Sequence, residues 1–161
     1  MKNVFIPSDF SEQSLSLISN FRKQYKTQQF NIILFHTLVM PESITDLLPV
    51  FKCNQEILKS AKDFTNECSV LEESSFGQIC SIQPTLIYGT SATVFSRYLK
   101  ANAIDLIVWH SGYRQKKLNR YSYDPHELIL NCGIQVIDMN MQLFSCNESQ
   151  QLVKKLNFSA N

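Results

Sequence analysis

The chain has 161 residues, 44% hydrophobic and 18% charged, a balance that excludes intrinsic disorder and supports one domain with a core of its own. Fifteen Lys and Arg against fourteen Asp and Glu leave a net charge of +1, so no bulk field draws nucleic acid or an anionic membrane. Five cysteines (Cys53, Cys68, Cys80, Cys132 and Cys146) form no CxxC pair, which argues against a disulfide framework or a zinc knuckle.

In chain order, NVFIP at Asn3–Pro7 reads as a short buried strand stopped by Pro7. Asp9 or Ser11, with Glu12, then gives a helix start, and Leu15, Ile18, Phe21 and Tyr25 follow at helical spacing. FNIILFHTL at Phe30–Leu38 is continuously apolar, as a strand covered on both faces must be. A loop or short helical turn is expected near Pro41 to Pro49, and then a long helix burying Phe51, Ile57, Leu58, Ala61, Phe64 and Cys68. Its charges at Lys52, Glu56, Lys59, Lys62 and Asp63 suit a solvated face.

A third strand is predicted at Ile79–Gly89, a helix capped by Thr90 or Ser91, and a fourth strand, IDLIVWH, at Ile104–His110. After a loop rich in cations, Asp124, Pro125, His126 and Glu127 read as N-cap, N1, N2 and N3 of a helix to Cys132, stopped by Gly133. IQVIDM at Ile134–Met139 is the fifth strand. Alternating strands and helices imply a three-layer α/β/α domain with a five-stranded parallel sheet over residues 1–140. Residues 141–161 form an extension whose Leu152, Val153 and Leu156 suggest a short amphipathic helix. The first apolar stretch is too short for a signal segment and no run approaches a membrane span, so a cytoplasmic protein is expected.

Several phosphate-binding signatures are missing. No GxGxxG follows a strand, no GxxxxGK[ST] occurs, and no aspartate ends the third strand, where Ile87, Tyr88 and Gly89 stand. PSDFSEQS after the first strand contains no glycine.

KNVFIPSDFSEQSLSLI, NIILFHTL, LIYG and IDLIVWH together resemble universal stress protein domains, over roughly Lys2 to Met139. The resemblance implies the adenine nucleotide alpha hydrolase-like sheet order 3-2-1-4-5 and a homodimer paired through the last strand. An apolar edge such as IQVIDM needs that kind of cover. Nucleotide-binding members place a glycine, two residues, a glycine, nine residues, a glycine and a serine or threonine after the fourth strand. Anchored on Asp105 to Val108, those positions are here His110, Tyr113, Tyr123 and Asp124, all departures from the pattern.

Glycines let a backbone approach phosphates closely, whereas His110, Tyr113 and Tyr123 put side chains in that space. Asp124, in a capping box with Glu127, should satisfy the donors that a phosphate would engage and repel a second anion. Arg114, Lys116, Lys117 and Arg120 could attract an anion, but phosphate sites combine cations with preorganised donors, and a mobile solvated loop is the favoured reading. No stacking motif supports nucleic acid.

The position of the family nucleotide pocket thus falls on Asp9, His110, Arg114, Lys116 and Asp124. The leading expectation is a non-enzymatic dimeric module without a cofactor, acting through protein association in stress response. One alternative is a variant ATP or AMP binder with its base pocket near Asp9 and Phe35 to Leu38. Another is a small hydrolase or metal site near His36 and His110, with Asp9 at a neighbouring strand end. For each of these residues a structural role competes: Asp9 as a helix cap, His36 and His110 as hydrogen-bonded strand ends, His126 facing solvent, Trp109 as core or interface filler.

Overall fold

The structure, a computed structural model, describes residues 1–74 and 77–139. Five parallel strands, β1 (Lys2–Pro7), β2 (Phe30–Leu38), β3 (Ile79–Tyr88), β4 (Leu106–Trp109) and β6 (Gln135–Asp138), run in the order β3-β2-β1-β4-β6. This is the anticipated order, with β6 in the place of the fifth strand. One further strand, β5 (Ser122–Tyr123), pairs antiparallel with the end of β2 and was not foreseen. The extension expected over 141–161, with its helix at Leu152, Val153 and Leu156, lies outside the described residues.

Helices α1 (Glu12–Gln24) and α2 (Ile44–Ser74) lie over one face of the sheet, and α3 (Ala92–Ala101) and α4 (His126–Leu130) over the other. Continuous apolar runs are explained by this double cover. In β1, Val4 and Ile6 join the core with Leu17, Ile18 and Phe21 of α1, while Phe5 points to the opposite core with Phe95 and Leu99 of α3. Phe5 and Phe35 stack across β1 and β2 with ring centroids 4.1 Å apart. Each such fully buried side chain contributes about 1.5–3 kcal/mol of transfer free energy.

Expectations for three helices are corrected. The stretch from Ile44 through Pro49 is not a loop: α2 runs 31 residues and carries Pro49 inside it, at the cost of the bond to the Thr45 carbonyl. Its buried stripe is Val50, Asn54, Ile57, Ala61, Phe64 and Cys68, so Phe51 and Leu58, expected inside, face outward. The packing follows the 3.6-residue repeat that starts from Val50, and Phe51 falls one step off it. In α1, Ser14 and Leu17 are buried beside Ile18 and Phe21, whereas Leu15 and Tyr25 are only partly covered. Finally, α4 is five residues long, with Pro125 at its N-cap and Asn131 at its C-cap, and ends before Cys132. Ser91 holds the N-cap of α3 by position, without a side-chain bond.

Candidate functional site

On a parallel sheet, functional groups gather outside the carboxyl ends of the strands. Here the ends of β1, β2 and β4 are crossed by the segment from His110 to Asp124. It returns to β2 as β5, where Thr37 faces Tyr123 and Leu38 faces Ser122. The Val39 N–H donates to the Tyr121 carbonyl at 2.8 Å, and the Thr37 hydroxyl donates to the Tyr123 carbonyl. The expectation of a mobile, solvated loop is therefore corrected: its cations Arg114, Lys116, Lys117 and Arg120 are exposed, but its backbone is fastened at both ends and in the middle.

The central fastening is Asp9. Only 6% exposed, it does not cap α1; its carboxylate accepts the Lys116 N–H at 2.8 Å and the Ser11 hydroxyl at 2.5 Å. With the Ser11 proton so placed, the Tyr113 hydroxyl, 3.1 Å from Ser11 Oγ, is the donor of that pair. Burial pushes the Asp9 carboxyl up, but these donors more than offset it and hold it below the usual carboxylate value. Tyr113, half-buried beside that carboxylate, is pushed up to about 12. The turn between β1 and α1 is braced by Ser8, whose Oγ accepts the N–H of Phe10 at 2.9 Å, a residue held at φ 54.

The second fastening is His36, 1% exposed. Its Nδ1 lies 2.9 Å from the Ser8 carbonyl, which can only accept, so Nδ1 carries the proton. Nε2 then accepts from the Ser122 hydroxyl at 2.9 Å. Ser122 Oγ in turn accepts the N–H groups of Leu118 and Asn119 at 3.0 and 3.1 Å. One neutral imidazole thus ties β1 to the far end of the loop. Burial holds its pKa below the usual histidine value, against the opposing pull of the Ser8 bond and the Asp9 charge.

The remaining positions are less engaged. His110 is half-buried, and its Nδ1 accepts the Gly112 N–H at 3.1 Å. It does not join His36 and Asp9 in a ligand set; among the described residues no three His, Cys, Asp or Glu side chains converge as a metal would require. His126 is exposed as expected and packs edge-on against the half-buried Trp109, centroids 4.9 Å apart. Asp124 sits one position outside the helix, at N′. Its Oδ1 accepts the His126 N–H at 3.0 Å in a local turn, in place of the capping box with Glu127.

A cavity of about 440 Å³ remains between this loop and α4, lined by His36, Trp109, His110, Tyr113, Ser122 and Asp124, with Arg114, Lys116 and Lys117 on it as well. Gln115 also lines it, and both polar atoms of its amide are buried without a partner among the described residues. Sequence reasoning placed Ser11 at the start of α1, where it holds the N-cap, but missed its bond to Asp9, and it missed Ser122 and the Lys116 N–H. A two-residue strand shows no periodicity, and a backbone donor leaves no trace in residue identity.

No family model matches the sequence, and no curated protein matches it. Among solved structures, UspA from Lactobacillus plantarum aligns with a TM-score of 0.54 at 15% identity, over 85% of this chain and 96% of that one. The hypothetical protein MJ0577 aligns at 0.57 and 14%, over 85% and 94%. A universal stress protein family member from Burkholderia pseudomallei aligns at 0.54 and 9%, over 86% and 96%. The chain has the universal stress protein fold. At these identities the likeness fixes the path of the chain, and the site is to be judged from this chain's own residues. Among the described residues no helix is long and apolar enough to cross a membrane.

Proposed function

We propose that this chain is a universal stress protein-like module of the cytoplasm, non-enzymatic, that does not bind ATP and acts in stress response by association with protein. The observation that carries this reading is the closure of the sheet mouth by the chain's own loop. Asp9, at the position of the family nucleotide pocket, spends its carboxylate on Ser11 and the Lys116 N–H, and His36 spends both ring nitrogens on Ser8 and Ser122. A nucleotide would have to displace bonds already made. At the other end Asp124 holds the His126 N–H and sets a negative charge where phosphate would approach.

ATP is therefore a poor fit to the residues present. A homodimer through β6 belongs to the same reading, since β6 ends the described sheet and its outer edge calls for a partner. Calorimetric titration with ATP and magnesium tests the proposal: no binding in the micromolar range is expected, and micromolar affinity overturns it.

A second reading, a variant adenine-nucleotide binder, is favoured by one observation. The cavity beside α4 combines Arg114, Lys116 and Lys117 with the unpartnered Gln115 amide. In that case Asp124→Ser, which removes the competing charge, should tighten binding.

A further inference from the structure

The first half of α2 carries apolar side chains on two sides. One stripe, from Val50 to Cys68, is buried on the sheet. The other, roughly 120° around the helix by the 3.6-residue turn, is open: Ile44 is 83% exposed, Leu48 71%, Phe51 61% and Leu58 41%. Met40, just before the helix, adds a fifth exposed apolar side chain at 50%. Soluble domains scatter such residues singly, and a contiguous row of them marks an interaction surface.

The row has a repeat. Ile44, Leu48, Phe51 and Leu58 follow 4-3-7 steps, which is the 4-3-4-3 seam of a two-helix coil with Gln55 at the intervening position. Such a seam is made for another helix rather than for a sheet or a small molecule. It also suits its own copy. When two copies of the helix run antiparallel about the point midway between Leu48 and Phe51, each Leu48 meets the other Phe51, each Ile44 meets Gln55, and each Leu58 reaches the Met40 end.

Charge favours the same arrangement. Glu42 stands just before α2, and Lys59 flanks the far end of the row. Antiparallel packing brings Lys59 towards Glu42 of the second chain and opposes the helix dipoles. Parallel packing would set like on like. We infer that the outer stripe of α2 is a contact between two copies of this chain, their helices packed antiparallel about the Leu48–Phe51 midpoint as an isologous, two-fold pair.

This contact is distinct from pairing through β6: α2 packs beside β2 and β3, at the opposite edge of the sheet from β6. A single helix pair buries less than the roughly 1,200 Å² at the low end of stable interfaces, so the association is reversible and rises with concentration.

Sedimentation equilibrium of the full chain, from about 10 μM to about 1 mM, tests it in the range expected for so small an interface. The weight-average mass of the wild type should climb with concentration, towards twice its low-concentration value from a monomer and past twice that value from a β6-paired dimer, which carries two such stripes. Phe51→Glu should abolish the climb with an unchanged circular dichroism spectrum, and Phe51→Leu should keep it. Lys59→Glu, which sets acid near Glu42, should weaken it several-fold. Because the readout is the climb and not the starting mass, failure of the β6 pairing and failure of this contact are told apart. A flat wild-type mass, whether because residues 140–161 or a different protein cover the stripe, overturns the inference, as does a climb that Phe51→Glu or Lys59→Glu leaves intact.

Discussion

The mouth of the sheet and the outer side of α2 use their side chains in opposite ways. At the mouth, polar groups that could have served a ligand are consumed internally: Asp9 by Ser11 and the Lys116 N–H, His36 by Ser8 and Ser122. On α2, apolar groups that could have served the core are left outside, Ile44 and Leu48 being the most exposed of them. The free energy still available for interaction therefore lies on the helix, where burying each apolar side chain is favourable. At the mouth a partner for Asp9 or His36 must first compete with existing hydrogen bonds.

The contrast can be broken most forcefully at His36. His36→Ala removes two buried hydrogen bonds, strands the Ser8 carbonyl and opens a cavity, and should cost about 3–4 kcal/mol in denaturant unfolding. A cost below about 1 kcal/mol would mean the loop is not held there. Asp9→Ala should follow at about 2 kcal/mol, because it leaves the Lys116 N–H unpaired, with faster proteolysis inside 110–124 as a second readout.

Acidity provides a subtler probe of the same fastenings. The folded His36 is held below its usual 6.5, so as pH falls the unfolded chain takes up this proton first. Its contribution is complete above 6.5 and is lost progressively below it, down to the folded pKa. Asp9, also depressed, adds its share above 3.8 and loses it as pH falls through its folded pKa. Tyr113 acts at the other extreme: its contribution is present below 10 and disappears as pH rises towards about 12. Unfolding followed by Trp109 fluorescence should show the first of these slopes between pH 7 and pH 5, and in His36→Ala the slope should flatten. The smallest effect is expected on α2, where Phe51→Glu should change monomer stability by no more than about 0.5 kcal/mol. A larger loss would place Phe51 in the core after all.

Much of the fold was legible because its signals are collective. NIILFHTL and IDLIVWH announce strands buried on both faces by unbroken runs, and their alternation with helices fixes a parallel sheet. What went unread was local. Pro49 suggested a break, yet it sits in the second turn of α2, where one missing bond is outweighed by the packing of Val50, Ile57 and Ala61. Phe51 seemed internal because hydrophobicity alone does not tell which of two stripes meets the sheet. At the site, Asp9, His36 and His110 could be named from their place at strand ends, and Tyr113 and Asp124 from the pattern that the family resemblance implies. Their partners could not, since the Ser122 hydroxyl and the Lys116 N–H reach them only through a loop path that periodicity does not encode.

The most direct measurement is a titration of the purified full chain with ATP and magnesium by isothermal calorimetry near neutral pH. With the mouth closed on itself, no saturable heat should appear at micromolar nucleotide. A stoichiometric isotherm with micromolar affinity, weakened by Gln115→Leu, would show that the loop yields to a ligand and that the mouth is a working nucleotide site.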